Sequence, residues 1–380
     1  MNGRHYLDHA STSPLRPEAA EAMSAFLQVG VAGDPARVHA EGRQQREAIE
    51  RAREAVATLL GSAPARVVFT SGATEAVNTA VFSASSARPG GAVVCADVEH
   101  SSVRDAAARM GPVHVLRVGS DGRVDLGHLA ELLDPRQPPA ALVNCQWCNH
   151  EVGTLQPVAE AVALCRAAGV PVHVDAAAAV GHLPVRLDEL GADFVSVSAH
   201  KLGGPSGTGA LFVRRGVRLR PLLVGGAQER ARRAGLENLL GIVGFGAAAA
   251  ALCEPGRLEA ERATARGLTE ALLSSGTSVP DVAVLGDPGL RAPHICSLAV
   301  GGVLAEAVLL GLDRAGVAAH SGSACSSESI EPSPVLAAMG VDPDRSLRLS
   351  VGWSSQPSDV AAFAAAFPVV VSGLRALGAR

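Results

Sequence analysis

Basic residues are in no excess in this chain: 33 lysines and arginines stand against 37 aspartates and glutamates, a formal charge of −4. Aromatics make up 3% of the 380 residues, and no run interleaves them with basic side chains, so direct nucleic-acid binding has no compositional support. Also missing are the ~18 uninterrupted apolar residues of a spanning helix and, from Met1 to Asp8, the apolar core of a signal peptide. A cytoplasmic protein without a membrane partner is expected. The seven cysteines are scattered and odd in number, which fits reduced thiols better than a disulfide framework. Cys145-Gln146-Trp147-Cys148 has no second cysteine pair beside it, so no metal site is expected.

An apolar fraction of 48% over this length can bury a large core, and the length suggests one large domain plus a smaller one. From Val67 to Val213 seven short apolar runs alternate with helical patterns: Val67–Thr70, Ala92–Cys95, Val113–Leu116, Ala141–Asn144, Val172–Asp175, Phe194–Val197 and Gly209–Val213. That alternation predicts an α/β fold, a mostly parallel sheet flanked by helices. Helices are predicted from Arg43 to Leu60, from Leu155-Gln156-Pro157 to Ala168, and over the apolar stretch Gly241 to Ala251. Pro255-Gly256 then breaks the pattern. Beyond it lie a strand-like Ile295–Val300 and a helix from about Ala305 to Ala315. The expected division is 12–250 for the large domain, with 1–11 and 251–380 forming a smaller α+β domain.

Two of the seven runs deliver reactive groups. Asp175 ends one, and Lys201 follows another; ligands in such sheets bind outside the carboxyl ends of the strands. An amine that can form a Schiff base and a carboxylate that can keep a pyridine nitrogen protonated are the pair that pyridoxal 5′-phosphate needs. A phosphate site accompanies them. Thr70-Ser71-Gly72-Ala73-Thr74-Glu75 follows a strand and opens a helix, so the amides of Gly72, Ala73 and Thr74 can point at an anion, with Ser198 and His200 completing the site. His100, after the run ending at Cys95, can stack on a cofactor ring and move protons. Arg348 sits in the apolar context Ser346–Ser350, where an unpaired guanidinium would be costly; an internal ion pair or a substrate carboxylate is expected as its partner. Cys325 stands in the polar run His320-Ser321-Gly322-Ser323-Ala324-Cys325, unlike the apolar settings of the other cysteines, and reads as an exposed thiol.

These segments together resemble the cysteine desulfurases of the class V aminotransferase group, enzymes of the pyridoxal-phosphate fold type I, over nearly the whole chain. The resemblance implies a seven-stranded sheet in the large domain and a cysteine loop at about 319–332. It further implies that Lys201, His100 and Cys325 are catalytic. Free L-cysteine would be bound through Arg348, its sulfur taken by Cys325 as a persulfide for a sulfur-acceptor protein, and the enzyme would be a homodimer. Another enzyme of the same group, or a sulfur-relay protein without catalysis, is the alternative. Four departures stand out. Ala178 replaces a glutamine that bonds the cofactor's ring oxygen, and Leu236 replaces a threonine reaching the neighbouring subunit's phosphate. Asn149-His150-Glu151 replaces Asn-Asn-Glu, which implies Asn149 and His150 at the cofactor, and Gly33-Asp34-Pro35-Ala36 replaces Gly-Asn-Pro-Ala, which implies Asp34 at the substrate. The first two remove donors, so weakened cofactor retention is expected.

Overall fold

In a computed structural model, residues 3–30, 33–321 and 332–378 are described. The seven apolar runs form one sheet of seven strands: β1 (Val67–Thr70), β2 (Val93–Ala96), β3 (Val113–Leu116), β4 (Leu142–Asn144), β5 (Val172–Asp175), β6 (Phe194–Ser198) and β7 (Gly209–Val213). Their order is β1-β7-β6-β5-β4-β2-β3. Strands β2 to β6 pair in parallel, while β7 lies antiparallel to both β6 and β1. Every residue of β5 and β6 is buried. Strands covered on both faces read as continuous valine-rich runs instead of alternating patterns, which is why they stand out in the sequence.

One face carries the main apolar cluster, including Val174, Val195, Val197 and Phe245; the other packs Phe194, Leu142 and Leu211 under the helix Ala73–Ala87. The helix Leu239–Leu252 is apolar all round because it is wedged between Pro17–Gln28 and Ala40–Leu59. A Cβ added at Gly246 would come within 2.6 Å of Ala52, so glycine is what permits the close approach.

A separate cluster gathers Leu7 with residues 265–371, around the antiparallel strands Val282–Leu285, Ile295–Val300 and Ser346–Ser350. The chain's start belongs to it: His5–Tyr6 pairs in parallel with Val317–Ala318. Among the described residues, the helix Pro357–Gly378 is by length and apolar content able to cross a bilayer. Here its Phe363, Phe367 and Val371, spaced four apart, are fully buried in this cluster.

Candidate active site

A cavity of about 810 Å³ opens at the carboxyl ends of the parallel strands, where the two groups of elements meet. It is lined by Gly72, Ala73, Thr74, His100, His150, Asp175, Ser198, His200, Lys201 and Arg348. The flanks of the cysteine segment line it too, His320 and Ser321 on one side and Ser333 and Pro334 on the other. Cys325 itself lies outside the described residues.

The anion cradle follows from the strand-to-helix turn. No side chain caps the helix Ala73–Ala87, so its leading N–H groups stay available at the positive end of the helix dipole. Glu75, in the first turn of that helix, also lines the cavity; its carboxylate accepts from Ser71 N at 2.8 Å, and its charge is paired with Arg233 at 2.9 Å. Lys201 sits in the short turn Ala199–Leu202 that β6 feeds, and its amine donates to the Ala10 carbonyl. Burial first, and then the Arg348 guanidinium, bring that amine down to about 8. It is the only lysine in the chain, a sequence signal more pointed than its position after a strand.

His100 caps the helix Ser101–Met110: its Nδ1 accepts from Ser102 N at 3.1 Å, so in the neutral ring the proton is on Nε2. Its ring meets that of His150 edge-on, centroids 5.1 Å apart. Burial holds both histidines below their ordinary value, His150 further than His100. Arg348, 6% exposed, comes from the other group of elements. It donates to Asp8 Oδ1 at 2.8 Å, Ser11 Oγ at 2.6 Å and the His150 carbonyl at 2.8 Å. Its Nε is buried with no hydrogen-bond partner among the described residues.

Two expected contacts are not formed. Asn149 is fully buried and off the cavity wall, because its amide is spent on the backbone: it accepts from Glu151 N and Val152 N and donates to Val98 O. Asp34 likewise stays away. Its carboxylate accepts from Ala36 N at 2.8 Å and pairs with Arg37 at 3.2 Å, the local bonding a short acidic side chain favours in a turn. Conversely, Asp8, Ala10 and Cys148 reach the site or its partners, although none was expected there and Cys148 was read only as half of a C-x-x-C pair. Asp8 is separated from Arg348 by 340 residues of sequence, and only the closure of the chain's start onto Ser350 brings them together.

The donor set fits pyridoxal 5′-phosphate: a lone buried amine, a carboxylate at a strand end and an uncapped helix start face one cavity of sufficient size. Ala178 lines the same wall with a methyl group. The protein is therefore expected to lose cofactor during extended dialysis, and Ala178→Gln to slow the loss about fivefold, the worth of a ~1 kcal/mol hydrogen bond. Unchanged stoichiometry in the wild type would contradict this. The lowered amine makes a second prediction. Cofactor-free protein should react with added pyridoxal phosphate at a rate that rises from pH 7 and levels off about one unit above the amine's value of about 8. An amine at its ordinary value near 10.5 would keep accelerating well past that point.

The described cysteines are poor nucleophiles. Burial pushes Cys95, Cys148, Cys165 and Cys296 up to about 12, with Cys145 and Cys253 also raised.

The class-V aminotransferase profile matches residues 5–363. A cysteine desulfurase of Cereibacter sphaeroides is 39% identical over 98% of this chain and 97% of its own length. The cysteine desulfurase NifS of Azotobacter vinelandii is 40% identical over 88% of this chain and 84% of its own. A NifS-like protein of solved structure superposes with a TM-score of 0.89 at 28% identity, covering 98% of this chain and all of that one.

Proposed function

We propose, on the premise that the chain belongs to the class-V aminotransferase family, that it is a cysteine desulfurase that converts L-cysteine to L-alanine and leaves the sulfur as a persulfide on Cys325. The observation that carries this reading is the convergence of Lys201, Asp175 and Arg348 on one cavity whose wall also includes both flanks of the Cys325 segment. Pyridoxal 5′-phosphate, held by Lys201, Asp175 and the Gly72–Thr74 amides with Ser198 and His200, would supply an electron-accepting ring. Arg348 binds the substrate carboxylate, with Asp8 fixing the guanidinium plane. Lys201, with an amine at about 8, takes the proton from the substrate's α-carbon, and His100, on the wall of the same cavity, has its Nε2–H to donate. The Cys325 thiolate then attacks the substrate sulfur; the carbon–sulfur bond breaks, a sulfur–sulfur bond forms, and protonation of the remaining carbon skeleton gives alanine.

In this reading residues 12–250 carry the cofactor and 1–11 with 251–380 carry the cysteine segment; the cluster of Leu7 with residues between 265 and 371 follows that division, while Ala10, Leu285, Ile295 and Val335 pack with the main cluster. The enzyme acts as a homodimer and passes its sulfur to an acceptor protein. Incubation with L-cysteine followed by intact-mass analysis tests the proposal: a gain of about 32 Da, one sulfur atom, is expected on Cys325 and on no other cysteine. No gain, or a gain that survives Cys325→Ala, would refute it.

A further inference from the structure

Beneath the helix Ala73–Ala87, the sheet face that carries Asp175 holds three polar side chains with no part in the steps above. Asn144 ends β4 opposite His173 in β5, and Ser196 in β6 stands opposite Asp175. None is more than 1% exposed, so each of their polar atoms needs an internal partner. The contacts run in one line. His173 Nδ1 is 2.9 Å from Asn144 Oδ1, His173 Nε2 is 3.2 Å from Ser196 Oγ, and Ser196 Oγ is 2.9 Å from Asp175 Oδ1. The Ala177 amide reaches the same oxygen at 3.0 Å, so both internal donors land on Oδ1 and Oδ2 is left for a ligand.

Counting protons gives the line a direction. A carboxylate only accepts, so the single Ser196 proton goes to Asp175, and Ser196 has only lone pairs to offer His173. His173 must then carry its proton on Nε2. In a neutral ring that leaves Nδ1 bare, facing the Asn144 oxygen lone pair to lone pair. Either a second proton on His173 or a turned Asn144 amide removes the clash. Burial holds His173 down to about 4, which argues against the second proton. Turning the amide exchanges its two isosteric ends in place; the cost is that Oδ1 replaces Nδ2 at 3.5 Å from Val94 O, a contact at the outer limit of hydrogen bonding.

We propose that Asn144, His173 and Ser196 form a one-way hydrogen-bond relay, with donors directed from the Asn144 amide through the Nε2–H tautomer of His173 and the Ser196 hydroxyl onto Asp175, holding that carboxylate in the attitude that binds the cofactor's pyridine nitrogen. The three are positioning residues, and their role rests on the cofactor reading above. Two measurements separate the relay from that reading. In the nitrogen-15 spectrum of histidine-labelled, cofactor-free protein, with the His173 signals identified by their loss in His173→Gln, Nε2 is expected protonated and Nδ1 bare; a protonated Nδ1 overturns the relay whether or not any cofactor binds. In fluorescence titration of the cofactor-free protein with pyridoxal phosphate, Ser196→Ala is expected to bind about tenfold more weakly, while Ser196→Thr, which keeps the hydroxyl, stays within about twofold of wild type. Equal binding by the alanine variant overturns the relay, and failure of the wild type to bind overturns the cofactor reading alone. Asn144→Asp, isosteric but unable to donate, is expected to match Ser196→Ala; should it not fold, the Ser196 pair and the wild-type spectrum still decide.

Discussion

Lys201→Ala abolishes the borohydride-fixed attachment of pyridoxal phosphate and lowers sulfur release from L-cysteine by about 10³-fold or more, the scale of losing both a covalent anchor and a positioned base. The effect is clean because no other lysine exists to capture the cofactor. In most proteins of this size stray surface lysines also label; here no lysine side chain other than Lys201 can add to the mass gain on reduction. The phosphate cradle does not involve the amine, so the variant should still bind the cofactor reversibly through the uncapped helix start. Retention of a reducible attachment, or of persulfide formation on Cys325, would mean that the amine has no part in the chemistry. Intact mass after borohydride, with and without L-cysteine, reads both.

Asp175→Asn gives the second large loss. The change is isosteric, and an amide can still accept from Ser196 and Ala177, which now bond to Asp175 Oδ1 at 2.9 and 3.0 Å. What disappears is the negative charge that keeps a pyridine nitrogen protonated. Without it the ring is a poorer electron acceptor, and turnover is expected to fall roughly 10²–10³-fold, the range seen when one preorganised electrostatic partner is removed. Cofactor attachment to Lys201 should persist, since the amine and the cradle are untouched. A variant with attachment intact and turnover within about threefold of wild type would remove Asp175 from the electron-sink role.

Six of the seven strands were legible because they are buried on both faces and so read as short apolar runs, while the edge strand β3, with Val115 49% exposed, stood out by its valines alone; the structure places every one within a residue of its expected bounds. Asp175, Lys201 and the Gly72–Thr74 turn were legible for a related reason: each directly follows or ends such a run, and strand ends in parallel sheets converge. The failures were local. Nothing in the order Asn149-His150-Glu151 says that the first side chain turns back onto Glu151 N, Val152 N and Val98 O while the second lines the cavity. The Asp34 carboxylate, bonded to Ala36 and Arg37, shows the same competition between nearby backbone and distant ligand. The relay to Asp175 was equally hidden, because His173 and Ser196 lie inside runs that periodicity marks only as strand.

By itself, then, the order of residues determined which elements form, what chemistry they carry and at which end of the sheet it gathers, since burial pattern and strand-end position are properties of neighbours in sequence. Tertiary closure decided the rest. The pairing of Arg348 with Asp8, the descent of Lys201 to about 8 and the fate of each polar side chain depend on which groups 20 to 340 residues away exclude water or supply a partner. Desolvation and hydrogen-bond satisfaction are set by that packed environment, and no local run of sequence contains it.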